Sequence, residues 1–202
     1  MDSVRSSGPT PTTAQRSAAS TKIVIAGGFG VGKTTLVGSV SEIQPLRTEA
    51  LVTNESEGVD DLAAVPTKAT TTVAMDFGRI TLAEDLVLYL FGTPGQRRFW
   101  FMWDDLCLGA IGAIVLVDTA RLDEAFSPLD YFESKGLPFI VAVNQFDNAQ
   151  RYELEDVRAA LAIPADVPMM NIDARERASC KEALIRVTEY SLMRLTESVA
   201  VG

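Results

Sequence analysis

The chain has 202 residues, room for one domain of ordinary size. Its 27 acidic and 18 basic side chains leave a net charge of −9, which argues against a nucleic-acid binder that works by neutralising phosphates. Histidine is absent; this removes His-based acid–base catalysis, Ser-His-Asp and Cys-His nucleophiles and every His-ligated metal site. Any chemistry must run on carboxylates, Lys, Arg, hydroxyls, amides, backbone N–H groups and a borrowed metal.

Residues 1–20, rich in Ser, Thr, Ala and Pro, read as a disordered tail without the apolar core of a signal peptide. Residues 21–202 read as the folded domain. Short apolar runs predict strands at 23–26, 73–77, 86–91, 113–117, 139–143 and, more weakly, 167–172. Helical patterns lie between them at 33–42, 97–109, 128–134, 152–162 and 181–195. The last carries apolar residues at Leu184, Val187, Tyr190 or Ser191, and Leu195. This alternation predicts an α/β fold with a mainly parallel sheet and helices on both faces, in which ligands sit at the carboxyl ends of strands. No stretch reaches 18 apolar residues, so no integral membrane segment is expected. Cys107 and Cys180 are far apart and read as buried thiols of a reducing cytoplasm.

The first strand runs into Gly27-Gly28-Phe29-Gly30-Val31-Gly32-Lys33-Thr34-Thr35, which contains G-x-x-x-x-G-K-T between strand and helix. Glycines let successive backbone N–H groups turn inward around an anion, and the helix N-terminus adds its dipole. Lys33 is placed to reach the β- and γ-phosphates, and the Thr34 hydroxyl to bind Mg²⁺.

After the third strand, Phe91-Gly92-Thr93-Pro94-Gly95-Gln96 resembles the D-x-x-G-Q element of Ras-like small GTPases. There the Gly N–H contacts the γ-phosphate and the Gln orients the attacking water; Gly95 and Gln96 match, while Gly92 replaces the Mg²⁺-steadying Asp. After the fifth strand, Asn144-Gln145-Phe146-Asp147 resembles the N-K-x-D guanine motif. The resemblance implies that Asp147 accepts hydrogen bonds from guanine N1 and N2, that Asn144 braces the phosphate loop and touches N7, and that Gln145 stands in for the Lys. Asp173-Ala174-Arg175 occupies the place of the S-A-K loop, where the Ala174 N–H would contact guanine O6.

These landmarks, each at a strand end, make about residues 21–196 similar to Ras-like small GTPases. More narrowly the chain resembles the bacterial branch of gliding-polarity and actinobacterial conservon GTPases. That likeness rests on Thr70-Thr71-Thr72-Val73-Ala74-Met75-Asp76-Phe77-Gly78, on the Gly-Thr-Pro-Gly-Gln element, and on Asp130-Tyr131-Phe132 with Gly136-Leu137-Pro138-Phe139. It implies a small-GTPase-like P-loop fold with a mostly parallel six-stranded sheet, GTP or GDP as ligand and Mg²⁺ as cofactor. It also implies operon-encoded partners: a sensor-kinase-like, a roadblock-type and a small helix-turn-helix-like protein. A cytoplasmic location is expected, with membrane contact only through partners.

The stretch 45–69 is longer than its counterpart in eukaryotic Ras proteins and reads as switch I. Thr72 best matches the family Thr that binds Mg²⁺ and γ-phosphate, with Thr70 and Thr71 as rivals; a Thr run entering a strand is the plain alternative. Switch II continues into 97–107, where Phe99, Met102, Trp103 and Leu106 form one stripe. Trp100 and Phe101 then either meet a partner or lie under a neighbouring element. Arg97 and Arg98 read as solvated, with a charge-stabilising role in cis as the alternative. The function implied is a GTP-binding switch of a bacterial signalling complex, a slow GTPase with Gln96 and Lys33 as catalytic residues. The alternative is a non-hydrolysing nucleotide-binding adaptor. A P-loop small-molecule kinase would need an Arg-rich lid and would leave Asn144 and Asp147 unexplained.

Overall fold

The computed structural model describes residues 19–44, 46–53, 70–147 and 149–201, with backbone alone at 46–53, 70–74, 97–98 and 198–201. The expected tail lies outside these residues, apart from positions 19 and 20, which open the first strand. In chain order the elements are β1 (Ala19–Gly27), α1 (Lys33–Val40), β2 (Leu46–Thr53), β3 (Thr70–Ala83) and β4 (Leu86–Gly92). A 3₁₀ helix (Arg97–Met102) then leads into α2 (Trp103–Cys107), followed by β5 (Gly112–Val117), α3 (Asp123–Lys135) and β6 (Phe139–Asn144). Last come α4 (Leu154–Ala160), β7 (Met169–Ile172) and α5 (Arg177–Val201). No helix among the described residues is long and apolar enough to cross a membrane.

All six expected strands are present, in one sheet of order β2-β3-β4-β1-β5-β6-β7 among the described residues. β4, β1, β5, β6 and β7 are parallel, and β3 is antiparallel to β4. A seventh strand, β2, falls inside the stretch read as a structureless switch I and pairs antiparallel with Thr70–Phe77 of β3. Its first half, Leu46-Arg47-Thr48-Glu49, carries a single apolar residue, so the partner strand and not local apolar content reveals it. The rest of that switch, 45 and 54–69, lies outside the described residues.

Pleating divides the core between the two faces of the sheet. Ile23 and Ile25 of β1 join Leu36 and Val37 of α1 and Val187 of α5 on one face. Val24 and Ala26 join Trp103, Leu129, Phe132 and Val157 on the other. β5 and β6 are buried along their whole length, as strands covered on both faces must be. Of the switch II stripe, Phe99, Trp103 and Leu106 are buried. Trp100 packs on Trp103 at 5.5 Å between ring centroids, while Phe101 stays 62% exposed. Both cysteines are unpaired, Cys180 buried and Cys107 partly so, and burial pushes both thiols up.

Along α5, Leu184, Val187, Tyr190 and Ser191 are buried, but Leu195 is 53% exposed against expectation. Ser191 packs on Gly112, the first residue of β5, so the next turn of the helix has passed the end of that strand. A Cβ at Gly112 would lie 2.4 Å from Ser191 Oγ and 3.1 Å from the Pro138 carbonyl oxygen. Gly112→Ala is therefore expected to cost about 1–3 kcal/mol by overpacking. Ser191→Ala should recover part of that loss in a double-mutant cycle followed by urea unfolding; full additivity would contradict this packing.

Candidate nucleotide site

β1 ends at Gly27, and the chain then crosses to α1 through Gly32 at φ +109°. A Cβ at Gly32 would lie 2.6 Å from Asn144 Nδ2, so both conformation and space demand glycine here. α1 starts with no side-chain cap and no acid in its first turn. Its first backbone bond is Leu36 N–H to the Gly32 carbonyl, so the N–H groups of Lys33, Thr34 and Thr35 are left to an anion. They face a cavity of about 360 Å³ whose lining includes Gly30, Lys33, Thr34, Asp76, Thr93 and Gly95. Val31 serves the loop differently: its side chain is buried and its carbonyl accepts from Asn144.

Lys33 is buried, and its Nζ donates to the carbonyl oxygens of Gly27 (2.9 Å) and Gly28 (2.6 Å). Burial lowers its pKa to about 8, opposed by the charges of Asp76 and Glu124 and assisted by Arg121. Gly95 lies against the same loop: a Cβ there would be 2.8 Å from Lys33 Nζ and 2.9 Å from the Phe29 amide nitrogen. Gln96 follows at the start of the 3₁₀ helix and borders a second cavity of about 230 Å³ with Gly28, Trp100 and Glu124. Phe29 is 64% exposed at the crest of the loop, and its carbonyl accepts from Arg121 Nη1 at 2.8 Å. Arg121 is itself held by Asp118 and Glu124. Neither Arg121 nor Glu124 is signalled by a motif.

An acid does stand beside Gly92, on the neighbouring strand. Asp76 of β3 stands directly opposite Gly92 of β4 in the antiparallel ladder. It is 9% exposed, and its Oδ2 accepts a hydrogen bond from Thr34 Oγ1 at 2.6 Å. A Cβ at Gly92 would come within 3.0 Å of Asp76 Cβ, so the two positions cannot both carry large side chains without rearrangement. The sequence did carry a signal: an acid inside the apolar run 73–77 is costly to bury unless it has a partner. The Thr34 hydroxyl and the Asp76 carboxylate are hard oxygen donors of the kind Mg²⁺ takes. The buried Thr93 hydroxyl, without a hydrogen-bond partner among the described residues, lines the same cavity, so the donor set fits the ion. Thr70, Thr71 and Thr72 stand in β3 opposite Thr53, Val52 and Leu51. The side chains of Thr72, Arg97 and Arg98 lie outside what is described.

At the far end, Asn144 closes β6. Its Nδ2 donates to the Val31 carbonyl at 2.9 Å, as expected of a brace, and its Oδ1 accepts from the Ala174 N–H at 3.0 Å. The Ala174 N–H, read as a contact for guanine O6, is met in the structure by Asn144. Ala174 is buried against Gly32 instead. Gln145 donates to Asn171 Oδ1 at 2.8 Å and accepts from Arg151, so its amide is held to the side. Asp147 is met by Arg175, whose guanidinium holds its carboxyl below the usual range and draws Asp173 down to about 2.

A family model described as "Conserved hypothetical ATP binding protein" matches residues 25–194. The chain belongs to this family. An uncharacterized protein of Methanocaldococcus jannaschii is 31% identical over 128 residues, 62% of this chain and 70% of the relative. ADP-ribosylation factor-like protein 3 of Saccharomyces cerevisiae is 26% identical over 143 residues, 67% of this chain and 65% of the relative. Among solved structures, the G domain of the T. maritima FeoB iron transporter aligns with a TM-score of 0.59 at 18% identity, covering 86% of this chain and 99% of that one. The FeoB G-domain of Methanococcus jannaschii aligns with a TM-score of 0.55 at 14% identity, covering 85% and 98%. At such identities these structures show the fold, that of a P-loop GTPase domain.

Two outcomes test the phosphate end. Burial holds Lys33 at about 8, and a phosphate beside it is expected to return it toward its ordinary 10.5. Binding then takes up a proton between those values, so affinity is flat below pH 8 and falls as pH rises above it. Lys33→Arg, with a fixed charge, should flatten that slope in fluorescence titrations of nucleotide binding. Asp76→Asn should weaken Mg²⁺-dependent nucleotide retention about 10–100-fold; the exchanged pair Asp76→Gly with Gly92→Asp should restore part of it.

Proposed function

We propose that this protein is a GTP-binding molecular switch with slow GTP hydrolysis. The observation that carries the reading is the convergence on one strand-end edge of Lys33, the Thr34–Asp76 pair and Gly95–Gln96 at one end and Asp147 at the other. The open N–H groups of α1 and the Lys33 ammonium bind the β- and γ-phosphates. Lys33 exchanges its two carbonyl partners for phosphate oxygens as it does so. Thr34 and Asp76 would hold Mg²⁺, with Thr72 added from switch I in the GTP state. The ion, when bound, neutralises charge on the β- and γ-oxygens. Gln96 orients a water whose oxygen bonds to the γ-phosphorus as the bond from that phosphorus to the bridging oxygen breaks. The products are GDP and inorganic phosphate, and the water proton passes to a phosphate oxygen.

Asp147 supports guanine, because guanine N1–H and N2–H₂ offer a carboxylate two parallel donors that adenine lacks. The narrower likeness to the conservon-type branch rests on the 70–78 and 92–96 segments. It supports a role in a bacterial signalling complex with roadblock-type and sensor-kinase-like partners, at which the exposed Phe101 is a candidate contact. One observation favours an adenine nucleotide: Asp147 is covered by Arg175.

Single-turnover hydrolysis of GTP and ATP, with and without candidate partners, tests the switch. Gln96→Leu is expected to slow GTP cleavage about 100-fold, a contribution typical of a positioned catalytic group. A cleavage rate unchanged by this substitution points to the adaptor. Faster or tighter use of ATP than of GTP overturns the guanine reading.

A further inference from the structure

Arg175 leaves β7 in the loop 173–176 and crosses to the end of β6. Its Nη1 and Nη2 donate to Asp147 Oδ2 and Oδ1 at 2.7 and 2.8 Å. Its Nε and Nη2 donate to Asp173 Oδ1 and Oδ2 at 2.9 and 2.7 Å. The Arg175 backbone N–H also bonds Asp173 Oδ1, at 2.9 Å. One planar cation is thus anchored by a near carboxylate of its own loop and forked onto a distant one.

The fork is chemically the same object as the edge of the base. Guanine contains a guanidine unit, and its N1–H and N2–H₂ point in parallel at a carboxylate just as two guanidinium N–H groups do. A carboxylate already forked by Arg175 cannot accept that pair as well. The contact is also displaceable. The Asp147 side chain is 72% exposed and that of Arg175 53%, and exposed ion pairs are weak and screened by salt. Displacement would not free Arg175, because three bonds to Asp173 remain. The guanidinium would pivot on Asp173 beside the base.

We infer that Arg175 is a specificity-determining latch whose guanidinium occupies, on Asp147, the place of the guanine donor edge and must be displaced before the base is read. The inference rests on the guanine reading of Asp147 above. Guanine affinity is reduced by the fraction of molecules that are latched. An adenine nucleotide makes no use of Asp147 and escapes that reduction, so the latch narrows the preference for guanine.

Displacement of a fluorescent GDP by GDP, IDP and ADP, at low and high salt, tests this on the full chain and on Arg175→Met, Arg175→Lys and Asp147→Ala. Removing the latch with Arg175→Met should tighten GDP about fivefold, the scale of one exposed bidentate pair, and leave ADP unchanged. IDP, which lacks the 2-amino donor, should gain less than GDP. Arg175→Lys, a cation without the fork, should fall between. Raising the salt should improve GDP relative to ADP in the native chain and not in Arg175→Met. GDP binding that is equal or weaker in Arg175→Met, with the same GDP-to-ADP ratio, overturns the latch. If Asp147→Ala also leaves that ratio unchanged, the guanine reading itself fails; if Asp147→Ala abolishes the preference, only the latch fails.

Discussion

One buried amide joins the separate pieces of the site. Asn144, 5% exposed at the end of β6, donates to the Val31 carbonyl of the phosphate loop and accepts from the Ala174 N–H beyond β7. Each bond contributes only about 1 kcal/mol net, but a buried partner left without one costs about 1–3 kcal/mol. The geometry is therefore over-determined. Gly32 must lack a side chain because the Asn144 amide lies where its Cβ would be, and the left-handed turn at Gly32 is what lets α1 begin uncapped. The start of α1 and the Asp147 end of β6 are thereby held in one frame.

Within that frame the polar groups of the site satisfy one another. Lys33 donates to the carbonyls of Gly27 and Gly28, and burial brings its pKa to about 8. Thr34 donates to Asp76. Asp147 accepts the fork of Arg175. On the proposed reading all three contacts engage atoms that a nucleotide and its metal would use, so binding would exchange partners. Such exchange costs little net energy per bond, and under that reading affinity would respond to pH at one end and to salt at the other.

Much of this was legible in the residues. The phosphate loop is a local device: glycine spacing, a strand before it and a helix after it specify it within a dozen positions. The buried strands 113–117 and 139–143 are equally local, since both faces are covered and every residue is apolar. Asn144 declared itself by its place after β6, and its bond to the loop is present. The edge strand β2 was not legible, because a strand in an antiparallel pair is held by its partner rather than by its own alternation. The bond from the Ala174 N–H to Asn144 was not legible either, because it joins residues 30 positions apart.

By itself the sequence determined an α/β nucleotide fold, the loop that grips phosphate and the strand ends where chemistry gathers, because these follow from short-range periodicity and from glycine. The tertiary structure decided that Asp76 meets Thr34 and that Arg175 covers Asp147. Asp76 and Gly92 are 16 positions apart and meet only through the register of β3 on β4. Asp147 and Arg175 are 28 apart and meet only because β6 and β7 lie side by side. Both pairings depend on strand register, a property of two segments together, and no single segment carries it.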